Sequence, residues 1–283
     1  MTNHFVSPRR YLTLALALMG MAAFSPALPA QVLTAYEPFA YPSGSLGGQN
    51  GGANWGGAWT TAAAGNTVSA SGLTFGPLVT SGGMLTTTGN NNGNFRTLTG
   101  SQGAPGTSSW VSLLANLSSG ASFANSYNGL SLFQGNIERL FIGQPFTSGN
   151  YGFQQPGQPQ QNSSTIIDAT THFLVLSLDF GATTTTINMY VDPTPGLASP
   201  DVAAAVANYS IPNFVFDNIR IEGGTAVNAL LNFDEVRLGN SFAAVSPVPE
   251  PGYLALMSVT AIGWVTFWRR RWRFEAKAAA PSA

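Results

Sequence analysis

The sequence predicts an all-β domain built as two antiparallel sheets packed face to face. Three observations predict it. From Leu73 onward, short apolar runs alternate with clusters of Gly, Asn, Pro, Ser and Thr, the pattern of many short strands joined by turns. His172–Phe180 is nearly continuously apolar up to Asp179, as a strand covered on both faces is. Phe214–Glu222 alternates, with Val215, Asp217, Ile219 and Ile221 opposed to Phe216, Asn218, Arg220 and Glu222, the period of a half-buried strand.

Taken in order, the chain opens with Arg9 and Arg10, the apolar run Tyr11–Phe24 and the small-residue segment Ser25–Ala30. A basic start, a short apolar core and an Ala-rich end are the layout of a secretory signal peptide. Cleavage is expected after Ala30, with Ala27 as the alternative. The residues after the paired arginines fit a twin-arginine signal poorly, so the general secretion translocon is the expected route. The next stretch, Tyr36 to Trp59, is dense in glycine and punctuated by aromatics. Trp55 and Trp59 either present ring faces on which a glycan stacks or plug the open end of a β-core.

Candidate strands follow at Leu73–Val79, Asn94–Leu98, Trp110–Leu117, Gly129–Phe133, Arg139–Ile142, His172–Phe180, Thr185–Val191, Phe214–Glu222 and Leu230–Leu238. In the last of these, Leu231 and Phe233 share one parity while Val236 and Leu238 share the other. A β-bulge near Asp234-Glu235 brings both pairs to the core. Gln154–Gln161 reads as an exposed loop and Asp192-Pro-Thr-Pro-Gly196 as a rigid turn. Ser199-Pro200-Asp201 predicts a short alanine-rich helix, with Ser as N-cap and Pro in the first helical position.

Composition narrows the function. Charged residues make up 8% of the chain, against roughly 25% in an average soluble protein. The body between the termini holds four arginines, Arg96, Arg139, Arg220 and Arg237, no lysine and ten carboxylates. An acidic body without a basic patch argues against nucleic-acid binding. Cysteine is absent, which excludes disulfides, thiolate metal sites and a cysteine nucleophile.

Catalysis finds little support. His172 is the only histidine of the body, so no histidine-rich metal site can form, and no nucleophile elbow accompanies it. Glycoside hydrolysis needs two carboxylates flanking one bond. Asp234 and Glu235 are adjacent, and Asp217 and Glu222 differ in parity, so on regular strands each pair faces opposite ways. No catalytic residue is assigned and no cofactor is expected. Asp192, Asp201, Asp217 and Asp234 offer oxygen ligands for a calcium ion, yet no contiguous calcium loop is present.

The C-terminal end carries the most specific signal. Val248-Pro249-Glu250-Pro251 precedes an uncharged apolar stretch, about Gly252–Trp268, and then Arg269, Arg270, Arg271 and Arg273. As a helix that stretch spans roughly 25 Å, the short end of what crosses a bilayer. The arginines place the C-terminus in the cytoplasm and the body outside. A Pro-Glu-Pro tripeptide, an apolar helix and an arginine cluster in this order resemble the PEP-CTERM sorting signal of bacterial exported proteins. The resemblance implies that an exosortase-type transpeptidase reads Pro249, Glu250 and Pro251 and removes the helix, so the chain is inner-membrane-anchored before processing. It departs from the family in the extra residues Phe274–Ala283.

Three stretches of the body, Glu138–Gly143, Phe173 through Asp192-Pro-Thr-Pro, and Phe233–Gly239, together with the Gly/Trp-rich opening, resemble the laminin-G-like, concanavalin-type jelly-roll bodies that precede such signals. Expected boundaries are therefore 1–30 for the signal peptide, 31–245 for the sandwich and 246–283 for the sorting signal, with its span at about 252–268. The function this implies is a non-enzymatic surface or extracellular-matrix protein that binds exopolysaccharide. A purely structural anchored protein and a glycoside-active enzyme on the same fold are the alternatives.

Overall fold

The computed structural model describes residues 31–61, 65–89, 93–120, 122–225 and 228–249. The expected signal peptide with its cleavage site after Ala30, Glu250, Pro251, the apolar span and the Arg269–Arg273 cluster lie outside the described residues. Pro249 is the last residue described and is exposed. No helix among the described residues is long and apolar enough to cross a membrane.

The strands are β1 (Leu33–Glu37), β2 (Gly44–Ser45), β3 (Thr67–Ser69), β4 (Met84–Thr86), β5 (Asn94–Gln102), β6 (Thr107–Gly120), β7 (Ser126–Gln134) and β8 (Ile137–Gln144). They continue with β9 (Asn150–Gln154), β10 (Gln161–Ile166), β11 (His172–Phe180), β12 (Thr184–Val191), β13 (Val206–Pro212), β14 (Phe216–Thr225) and β15 (Ala229–Gly239), and one short helix, α1 (Phe242–Val245), follows. They form two antiparallel sheets. One has nine strands in the order β13-β12-β11-β6-β15-β4-β3-β2, with β1 also on β15; the other has six, in the order β10-β9-β8-β7-β14-β5.

The inner faces share one core. Leu174, Leu176, Leu178 and Phe180 of β11, with Val111 and Leu113 of β6, belong to the same buried cluster as Leu130, Leu132, Leu140, Ile142, Ile219 and Ile221 of the six-stranded sheet. Each such side chain contributes about 1.5–3 kcal/mol by leaving water. The other parity of β11, Phe173 and Val175, packs outward against Leu73, Leu78, Phe242 and Val245. This explains the unbroken apolar run: both faces of β11 are covered.

The segment doing that covering is Leu73–Val79, which the sequence pattern assigns to a strand. It is irregular in the structure, because Gly76 sits at φ 45° and Pro77 has no N–H to donate to a ladder. A turn closed by Leu78 N–H donating to Phe75 O at 3.0 Å presents its apolar side chains inward instead. The helix expected after Ser199 is also absent. Asp201 Oδ1 accepts from Thr194 N–H at 2.8 Å, and Ala205 N–H donates to Met189 O at 2.7 Å. The chain thus feeds edge strand β13, where ladder bonds outweigh the nucleation cost of so short a helix.

The bulge in β15 is present. Its register on β6 shifts between Asp234 and Arg237, Glu235 has φ 54°, and Leu231, Phe233, Val236 and Leu238 all reach the core. The irregularity also divides the neighbours of β15: β4 pairs with Asn232 and Phe233, and β1 with Val236–Gly239. In β14 the expected simple alternation breaks. The register shifts between Phe216 and Asn218, so Phe216 joins Ile219 and Ile221 inside.

Candidate functional site

The Gly/Trp-rich opening is held by one buried ion pair. Arg96 and Glu37 side chains are both fully buried and in contact. Glu37 also accepts from Tyr41 Oη and Trp59 Nε1, each at 2.8 Å. Arg96 donates to Gly57 O, Asn50 Oδ1 and Gly51 O, and its guanidinium lies 4.9 Å over Trp55 and 5.5 Å over Trp59. Trp59 is 1% exposed and stacks on Phe39. It has no ring face to offer, so of the two readings of Trp59 its burial fits the plug of the core. Trp55 is half-buried, donates from Nε1 to Tyr36 O at 2.8 Å, and has one face covered by Arg96. The pair closes the end of the core.

The four aspartates weighed for calcium do not meet. Asp192 pairs with His172 Nδ1 at 2.8 Å and accepts from Phe173 N–H. Asp217 accepts from Gly135 N–H, Asp201 from Thr194 N–H, and Asp234 from Leu73 and Glu235 N–H. Each is used locally. Among the described residues no group of three or more His, Cys, Asp or Glu gathers in metal-binding geometry. Burial raises the Asp234 carboxyl to about 8, despite those two backbone donors.

Concave chemistry lies elsewhere, on the outer face of the six-stranded sheet. Arg220 and Glu222 of β14, Tyr127 and Ser131 of β7, and Glu138 and Phe141 of β8 meet there beside Gln154, Phe146 and Pro156. All but Ser131, which donates to Glu138, border a cleft of about 260 Å³. Register puts Gly129 opposite both Glu222 and Gly143, and Gly143 opposite Gly152, so the strand row through Glu222 is floored by glycines. Their lack of side chains has a use. A Cβ on Gly129 would sit 2.6 Å from Phe141 Cζ, and one on Gly224 would collide with the Tyr127 ring. The two rings therefore lie down onto the sheet, 5.9 Å apart and edge to face.

The polar groups are fixed in place. Arg220 contacts Glu222 and lies 3.4 Å from Glu138, with its guanidinium 4.7 Å over Phe133 and 5.6 Å over Phe95. Glu138 accepts from Ser131 Oγ at 2.5 Å, and Tyr127 hydroxyl donates to Glu222. Burial pushes Glu222 above the usual carboxylate range, with Arg220 opposing. Burial, and then the Glu222 charge, raise Tyr127 to about 12. Chemically this is a rigid set of acceptors, one guanidinium and two rings around a hollow.

Sequence reasoning placed Arg220 and Glu222 on one face but missed Glu138 and Tyr127. The carboxylates it compared, Asp217 with Glu222 and Asp234 with Glu235, are not the pair the fold brings together. The available signal was glycine at Gly129, Gly143, Gly152 and Gly224 inside predicted or neighbouring strands, which marks a close approach.

No family model matches the chain, and no curated protein matches it. Among solved structures it is similar to the binding domain of botulinum neurotoxin serotype D, at 9% identity and a TM-score of 0.39, over 56% of this chain and 39% of that one. It thus spans about two fifths of that domain's length. It is also similar to the cellulose induced protein Cip1, at 14% identity and a TM-score of 0.38, over 64% and 90% of the two chains. A protein of unknown function from Shewanella oneidensis MR-1 matches at 12% identity and a TM-score of 0.40, over 86% and 98%.

Proposed function

We propose that this chain is the precursor of an exported, non-enzymatic surface protein whose sandwich binds glycan in the Tyr127–Glu138–Glu222 cleft. The carrying observation is that cleft: aromatic rings beside fixed polar groups on an open sheet face. Ring faces take the apolar side of a sugar while carboxylates, an amide and a guanidinium orient its hydroxyls. Export and sorting rest on the sequence. The basic-apolar-small N-terminus directs secretion, and Pro249-Glu250-Pro251 with the following apolar span and arginines addresses the chain to an exosortase-type transpeptidase. The mature sandwich then belongs to the cell surface or an exopolysaccharide matrix.

Titration of the protein with exopolysaccharide from the producing cells tests the binding. Phe146 is 43% exposed, so Phe146→Ala leaves the fold intact and is expected to weaken binding about tenfold, or ~1.4 kcal/mol. Unchanged affinity contradicts this placement of the site, and no binding at all leaves a purely structural protein.

One observation favours a second reading, a glycoside hydrolase: Glu138 and the protonation-prone Glu222 share a cleft. It ranks second because Arg220 contacts both carboxylates and so occupies the place between them where a glycosidic oxygen belongs. Release of reducing ends during the same titration would reverse the ranking.

A further inference from the structure

The cleft does not end at Glu138. Glu138 and Pro156 also border a second hollow of about 290 Å³, completed by Ile137, Arg139, Pro212 and Phe214. Its charged groups repeat those of the first, a guanidinium beside a carboxylate. Ile137 is 57% exposed and lines the hollow beside Phe214, a buried residue packed on Phe180, and Arg139 brings a guanidinium. Arg220 borders the first hollow and Arg139 the second, and the Nε of each is a buried N–H donor with no hydrogen-bond acceptor among the described residues. A buried donor left unpaired is destabilising, and here the two belong to residues that border adjoining hollows.

We infer that the two hollows are consecutive subsites of one groove, crossed at Glu138 and Pro156, that takes a linear, uncharged glycan chain through its interior rather than a single terminal sugar. This rests on the proposed glycan-binding function. Each hollow is smaller than the ~300 Å³ where pockets for drug-sized ligands begin, room for about one sugar ring. Two in line therefore ask for a ligand at least two rings long. The charge is set by the walls: Arg139 and Arg220 stand against Glu138 and Glu222, so the groove has no net charge with which to attract a polyanion or polycation. Sugar hydroxyls both accept from guanidinium N–H groups and donate to carboxylates, so an uncharged chain suits both kinds of wall.

The test is calorimetric titration of the protein recovered from producing cells with ladders of neutral gluco-, manno- and N-acetylglucosamine oligosaccharides, one to six rings long. Affinity for the ladder that binds is expected to rise at least tenfold from one ring to two or three, and to change little between low and high salt. Ile137→Ala and Arg139→Gln, both at the second hollow, are expected to lower affinity for the longer chains about fivefold and to leave single-ring binding unaltered. Equal affinity along the ladder, or variants that weaken one ring and three rings alike, overturns the second subsite while the first stands. If no ladder binds, both the groove and the glycan-binding reading fail.

Discussion

Arg96 shows how one residue orders a segment too rich in glycine to order itself. Glycine-dense chain loses the most entropy on folding, yet the region from Tyr36 to Trp59 is held because Arg96 spends its donors on Glu37, Tyr41, Asn50, Gly51 and Gly57. A buried pair is itself of small net value, but breaking it leaves an uncompensated charge. Arg96→Met is therefore expected to destabilise the protein by about 3–5 kcal/mol in urea unfolding. A midpoint within experimental error of the parent would show that the cluster is not what holds the opening. The tryptophan spacing was visible in the sequence, but its meaning was not. Whether two rings face water or a core depends on which charged group folds over them, and Arg96 lies far along the chain.

At the scale of elements, the bulge in β15 is the best-read feature, because four apolar residues of mixed parity admit few other solutions. Its cost is Asp234, buried between the sheet and the Leu73–Val79 segment. A carboxyl at about 3.8 in the unfolded chain and about 8 in the fold binds more protons folded than unfolded between those values. Its contribution is greatest at low pH and is lost as pH rises toward 8. Unfolding free energy is expected to fall by up to ~1.4 kcal/mol per pH unit across that window, and the slope should flatten in Asp234→Asn. Glu235, raised by burial as well, acts in the same direction. Denaturant midpoints at pH 5 and pH 8 check this, and a midpoint that climbs with pH contradicts it. The misread elements share a cause. Leu73–Val79 and the segment after Ser199 have the right local composition for a strand and a helix, but their partners decided otherwise: one roofs β11 and the other pairs with β12.

On the scale of the whole molecule, the two sheets and most long strands were legible because one shared core imposes a period of two on both inner faces. The groove was not. It is assembled from β7, β8, β14 and the β9–β10 connection on the outer face of the six-stranded sheet, and at its second hollow from Pro212 of β13 and Phe214, and no local pattern ties Tyr127 to Glu222 or Ile137 to Phe214. The termini divide the other way: their reading is written in local sequence alone, as basic, apolar and proline-containing blocks. The proposed role joins these parts, a sandwich with a glycan groove carried outward by one end and sorted by the other. Mass spectrometry of the C-terminus of the protein recovered from producing cells tests that most directly. A chain ending at or near Pro249–Pro251 is the expected result; an intact Arg269–Ala283 tail contradicts sorting and leaves a membrane anchor.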